Sequence, residues 1–349
     1  MLVMMLSITQ RFRVRLLMLF KKRNVPDSNI PINNLNIRKI INGVYRICNK
    51  QEQVLIDGIS YTKIELHDAT GLKIGLHESK AIDWVSSKPY ALVNLRGYAL
   101  ESNNQSLIQV LDISPQNKVG IDAMLSLPKA LCNDPDDLEI LINMRRSIES
   151  PALGQFLDAL FTDTEIAIPF LQLPASSNHH HNTYGGLLKH SLEVAKIASD
   201  QCYDTPDERD IALVAALLHD IGKVRTLGTN LRATSLGKML GHDALTLEVC
   251  ASALKLLDKE WPEAAYTLRH VWTCGTPGAR YGFERNCKIA NIIQFSDRLS
   301  VDLYDENKAF TANNKTDGLA WDGKKYYWRP TAEPKSNKRN NICQLTSTL

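Results

Sequence analysis

Seven of the nine histidines fall in one 92-residue stretch, at positions 179, 180, 181, 190, 219, 242 and 270; His67 and His77 lie outside it. Imidazoles and carboxylates projecting inward from neighbouring helices are how a helical bundle builds a metal centre. The chain order is His190, the adjacent pair His219 and Asp220, then His242, His270 and Asp297. A buried aspartate beside a buried histidine is costly unless a cation or partner compensates. A divalent ion held by imidazole nitrogens and carboxylates supplies that compensation, and it makes phosphate-ester hydrolysis accessible by activating water and polarising a phosphoryl oxygen. In this reading Asp220 is both a ligand and the group that orients or deprotonates the attacking water. Lys223, three residues on, is placed to neutralise charge growing on phosphate.

Two phrases position these residues. ALVAALLHDIGK is apolar nearly all round, so it predicts a buried helix that ends rigidly at His219 and Asp220, and Gly222 permits a tight backbone there. In PASSNHHHNTYGGLLKHSLEVA, Gly185 and Gly186 open a helix that carries His190 one turn inside, and His180 and His181 lie in the loop before it. His179 reads as a surface loop residue. GKMLGHDAL places His242 on the next long helix, TLRHVW places His270 on another, and FSDRLS supplies Asp297. Helical spacing runs from DPDDLEILINMRRSIES at 134–150 to Ser300, which predicts an all-α domain.

The HDIGK phrase, with the histidines before and after it, resembles the HD superfamily of metal-dependent phosphohydrolases. The resemblance implies that His190, His219, Asp220 and Asp297 hold one metal ion. His242 and His270 would complete a second, as in dinuclear members, although His270 is followed by Val271 where relatives often carry a second histidine. The resemblance also implies that His180 and His181 handle substrate phosphate. Manganese is the first expectation for the ion, with iron, cobalt, nickel, magnesium or zinc as alternatives, because a His/Asp site accepts all of these.

From Val44 to Ile113 the pattern changes to short alternating runs such as QVLID, YTKIELHD, LKIGLHE and YALVNLRGYAL, separated by turn-prone stretches. Leu66, Asp68, Thr70, Gly71, Leu95 and Gly97 resemble the hairpin and strand pattern of an OB-fold of the nucleic-acid-binding kind. Such barrels hold single strands with basic grooves and aromatic platforms. Lys63, Lys73, Trp84, Arg96 and Tyr98 are the candidate contacts, with Tyr61 and Tyr90 as further aromatics. An OB-like module followed by the two histidine phrases is similar to the YhaM family of bacterial 3′→5′ exoribonucleases. The HD segment also resembles that of MobH-class relaxases of conjugative elements.

The fold expectation is therefore α+β and multidomain. A basic arm and linker spans 1–43, an OB-like nucleic-acid-binding barrel 44–118, an all-α HD bundle 134–307, and a largely flexible extension 308–349. The functional expectation is a metal-dependent phosphodiesterase acting on single-stranded RNA or DNA, as a 3′→5′ exonuclease. The alternatives are a relaxase or DNA-processing factor of a conjugative element, and an HD phosphohydrolase of free nucleotides. Charge is uneven: residues 1–50 carry ten Lys/Arg against Asp27 alone, an arm able to attract phosphate backbones or anionic lipid or to serve as a solvated tail, while the remainder holds 31 basic and 37 acidic side chains. Seven scattered cysteines without a CxxC pair argue against a disulfide framework and for a reducing cytoplasm. The apolar start is broken by Arg11, Arg13 and Arg15, so neither a signal peptide nor stable membrane insertion is expected. A homo-oligomer stays open.

Overall fold

The computed structural model describes residues 31–32, 40–54, 60–78, 89–102, 105–116, 123–177, 181–275 and 282–332. Trp84, His180 and the basic arm through residue 30 lie outside the described residues. The chain divides into two compact units, Met1–Ser300 and Val301–Leu349.

The first unit begins with a closed five-stranded barrel: β1 (Ile40–Val54), β2 (Ser60–Asp68), β3 (Gly71–His77), β4 (Ala91–Ser102) and β5 (Gln105–Pro115). Its strand order is β1-β2-β3-β5-β4, with β4 pairing back to β1 and β3 running parallel to β5. This is the OB-like barrel expected from the sequence. Tyr45, Ile47, Ile64, Leu66, Val93, Leu95 and Ile108 fill its interior, so the apolar members of the alternating pattern face in. The β2–β3 hairpin is made by Asp68, whose Oδ1 accepts from the Thr70 and Gly71 amides at 2.8 and 3.1 Å. Its Oδ2 accepts from the Ile32 amide at 2.7 Å. The Asp-x-Thr-Gly phrase is thus a turn signal before anything else.

The helical region follows with α1 (Pro135–Arg146), α2 (Pro151–Thr162), α3 (Thr164–Gln172), α4 (Gly186–Ser199), α5 (Pro206–Leu217), the single turn α6 (Lys223–Thr226), α7 (His242–Glu260), α8 (Pro262–Thr273) and α9 (Lys288–Ala312). Asp134, Ser150 and Thr205 cap α1, α2 and α5, each followed by a proline at the first helical position. Helix α5 is the central member. Every residue from Asp210 to Leu217 is buried, as its all-round apolar sequence predicted. Buried Asp210 is satisfied by the Glu149 and Ser150 amides at 2.7 and 3.0 Å.

Arg46 joins the barrel to the helices. It is fully buried on the outer side of β1, and its guanidinium donates to Phe161 O (2.6 Å), Thr164 Oγ1 (3.0 Å) and Tyr90 O (3.2 Å). The Ala69 amide of the β2–β3 turn donates to Leu125 O at 3.0 Å.

In the second unit the last turns of α9 are followed by a hairpin, β6 (Gly318–Trp321) and β7 (Tyr326–Arg329). The sequence had suggested a largely flexible extension here. Instead Ala309, Phe310, Ala320 and Tyr327 form a small core, and Arg329 pairs with Glu306 at 2.6 Å while lying over the Phe310 ring. The apolar signal is four residues spread over two element types, too sparse to register as a period. Among the described residues no helix is long and apolar enough to cross a membrane.

Candidate metal centre

Three elements bring the candidate ligands together. His190 sits in the second turn of α4, His219 and Asp220 follow the end of α5, and Asp297 lies on α9. His190 Nε2 stands 3.5 Å from Asp220 Oδ2 and 3.1 Å from Asp297 Oδ1. His219 Nε2 stands 3.4 and 3.7 Å from the same two oxygens. Donor atoms held roughly 2.0–2.2 Å from a common ion lie about 3–3.6 Å apart, so two nitrogens and two oxygens at these spacings suit a divalent metal. The residues present fit such an ion.

Hydrogen bonds behind the ligands agree with that fit. His219 Nδ1 donates to Ala216 O at 2.7 Å, which aims Nε2 at the cluster as the atom that either carries a proton or offers its lone pair to an ion. His190 Nδ1 donates to Ser300 Oγ at 3.2 Å, and the Ser300 hydroxyl donates to Glu193 Oε2 at 2.8 Å. A carboxylate acting through a hydroxyl therefore sets the His190 ring. His181 Nε2 stands 3.0 Å from the same Glu193 oxygen. Glu193 and Ser300 were not singled out from the sequence. The available signal was spacing, since Glu193 is three residues after His190 and Ser300 three after Asp297, each on its ligand's helix face.

Two glycines hold the backbone close. A Cβ on Gly186 would meet His181 O at 2.0 Å, and one on Gly222 would meet His242 O at 2.0 Å. The second contact seats the start of α7 against the His-Asp turn. There His242 Nε2 reaches Asp220 Oδ1 at 2.9 Å, and Lys223 Nζ pairs with Asp220 Oδ2. Asp220 thus presents one oxygen to His190, His219 and Lys223 and the other to His242. His270 is turned to a different partner: its Nε2 accepts the Asn286 amide at 3.3 Å.

The electrostatics call for positive charge. Burial opposes a charge on His219, yet Asp220 and Asp297 outweigh it and raise its pKa to about 10. Burial likewise favours neutral acids, but His219 and Lys223 hold Asp220 well below the carboxylate range, and His190 and His219 lower Asp297. Burial keeps His190 low, hence neutral. Two carboxylates balanced by one lysine leave one negative charge, which a proton on His219 or a metal ion can meet.

A cleft of about 650 Å³ opens beside this cluster, bordered by His219, Asp297, Asp243, Trp272, Arg285 and Gln294. Arg285 is a second cationic group the sequence did not mark, because YGFERNCK carries no helical or strand period. Its Nε is buried and makes no hydrogen bond.

Among the described residues, the barrel side chains expected to contact nucleic acid are spread over the strands rather than gathered in one place. Lys63 is outward on β2 opposite Gln51, and exposed Arg96 is opposite Asn42, nine residues away along β1, or roughly 30 Å of extended strand. Tyr98 is half-buried opposite Ile40. Lys73 pairs with Leu66 and so shares the inward parity of β3. Tyr90 adopts φ +62° and packs edge-on against His67, centroids 5.4 Å apart, within the seam between barrel and helices.

The HD domain family model matches residues 187–302. The 3′-5′ exoribonuclease YhaM of Bacillus subtilis is 24% identical over 258 residues, covering 71% of this chain and 80% of that protein. YhaM of Shouchella clausii is 24% identical over 250 residues, covering 69% and 76%. YhaM of Bacillus velezensis is 23% identical over 270 residues, covering 74% and 84%.

Proposed function

Because this chain carries an HD domain and is homologous to the YhaM exoribonucleases, we propose that this metal-dependent phosphohydrolase is a nuclease that degrades single-stranded nucleic acid, RNA first, from the 3′ end in the cytoplasm. The observation that carries the reading is the quartet of His190, His219, Asp220 and Asp297 opening onto a cleft, in a chain that also has a closed OB-like barrel.

A divalent ion, manganese in the first instance, would supply activation of water and polarisation of a phosphoryl oxygen. The protein's own residues do the rest. Asp220, ionised and fixed by four neighbours, helps to hold the ion and orients the attacking water. Lys223 and Arg285 face the negative charge that develops on the phosphate, an electrostatic role that a half-buried site strengthens. His242, on the second oxygen of Asp220, offers a start for a second ion. The barrel and basic arm hold the strand through phosphate contacts and stacking.

The test is a 5′-labelled single strand, RNA and DNA in parallel, incubated with the protein and Mn²⁺. A ladder of products shortened from the 3′ end is expected, and Asp220→Ala should lower the rate by several orders of magnitude with the fold intact. No cleavage of either strand, or near wild-type turnover by Asp220→Ala, overturns the reading. Metal content per chain in His242→Ala and His270→Ala, against wild type, decides between one ion and two.

A further inference from the structure

A second set of metal-ligating side chains lies on the barrel, apart from the HD cluster. Cys48 pairs directly with Glu65 across β1 and β2, and His67 is two residues beyond Glu65, so all three project from the same outer face. Cys48 Sγ lies 3.2 Å from His67 Nε2 and 3.5 Å from Glu65 Oε2, and His67 Nε2 lies 3.6 Å from that oxygen. One sulfur, one nitrogen and one oxygen therefore form a nearly equilateral triangle. Around a tetrahedral ion with bonds of about 2.3 Å to sulfur and about 2.0–2.1 Å to nitrogen and oxygen, the same edges come to about 3.3–3.6 Å.

The surroundings look like a supporting shell. Asn49, which adopts φ +52° within the β1 bulge, donates from Nδ2 to Glu65 Oε2 at 2.8 Å and fixes the carboxylate. The Tyr90 ring packs edge-on against His67, centroids 5.4 Å apart. Cys48 and His67 are buried, while Glu65 keeps partial solvent contact that gives an ion a way in. Burial leaves the imidazole neutral, as a ligand must be. Burial and Glu65 push the thiol up to about 11, a cost that a dication among the three groups would reverse.

We propose that Cys48, Glu65 and His67 form a second metal site, for a zinc-like divalent ion, on the seam between the barrel and the helices. Arg46, on the same face of β1, carries the main polar contacts across that seam, and Tyr90 touches both groups. An ion here ties β1 to β2 on the face that carries Arg46. Thiolate with imidazole and one carboxylate selects zinc or cobalt over the harder ions suited to the HD cluster.

Cobalt(II) tests this directly, because only a sulfur ligand gives an intense near-ultraviolet charge-transfer band and the HD cluster contains no sulfur. The full-length protein titrated with Co²⁺ should develop that band. It should persist in Asp220→Ala and vanish in Cys48→Ser, which should also bind one ion fewer per chain. Should Cys48→Ser fail to fold, wild-type protein serves: Zn²⁺ should slow alkylation of Cys48, mapped by peptide mass, by about tenfold or more. No band at saturating Co²⁺, a band that survives Cys48→Ser, or alkylation of Cys48 indifferent to Zn²⁺ overturns the proposal.

Discussion

Ser300 is fully buried on α9 and is not among the residues that border the cleft, yet it fixes which nitrogen His190 offers. Removing its hydroxyl leaves the ring free to rotate and Glu193 short of a donor. Ser300→Ala is expected to weaken metal affinity by roughly 10–100-fold while the fold persists; competitive titration with a chromophoric chelator reads it. His219 gives a pH signature. In the metal-free protein its pKa rises from 6.5 to about 10 through Asp220 and Asp297, against the cost of burial. A raised folded-state pKa stabilises fully below about 6.5 and loses its contribution as pH climbs through about 10. Metal-free protein should therefore lose melting temperature across that window. The gain from saturating Mn²⁺ should grow over the same range, since the ion replaces the proton. A metal-induced gain that is flat from pH 6.5 to 9 would count against this linkage.

At the scale of elements, the site depends on how closely α7 approaches the turn after α5. Gly222 is the point of contact: any side chain there strikes the His242 carbonyl, which is backbone and cannot swing aside. Gly222→Ala is expected to cost on the order of 2–3 kcal/mol, the scale of overpacking a closed site. It should also move His242 off Asp220. Urea unfolding reads the first effect and metal stoichiometry the second. The helices themselves were legible in the sequence for physical reasons. Ser150-Pro151 and Thr205-Pro206 are cap-and-start signals, and ALVAAL has too few polar residues to face water on any side. The hairpin at Gly318–Arg329 was not legible, because two four-residue strands with alternating exposed aromatics carry little more pattern than a loop.

For the molecule as a whole, the contact between barrel and helices rests heavily on one cation. Arg46 is buried and hydrogen-bonded to three oxygens, two of them on the segment from α2 into α3. Burial lowers its pKa to about 10, partly offset by Asp163, so it stays charged at neutral pH. Arg46→Met keeps the stem and removes the donors. It should destabilise by about 3 kcal/mol, since hydrogen bonds to charged groups are worth about 1.5–3 kcal/mol and the abandoned carbonyls remain buried. A calorimetric melt that is unchanged, or that loses only the barrel transition, would show that the seam is held by other contacts.

The chain order of histidines and aspartates, read with the apolar run before His219 and Asp220, was enough to point to a metal centre on a helical bundle. Ligands of this kind come with local spacing and local burial, and both are written in adjacent residues. The alternating runs pointed equally to a small barrel, because period-two patterning is a property of each strand by itself. Which groups meet across the fold was not written there. His181 turning to Glu193, His270 taking the Asn286 amide, Lys73 sharing the inward parity, and Cys48 meeting Glu65 and His67 all follow from strand register and helix packing. Those are set by the sum of many long-range contacts, none of which leaves a mark on the few residues it brings together.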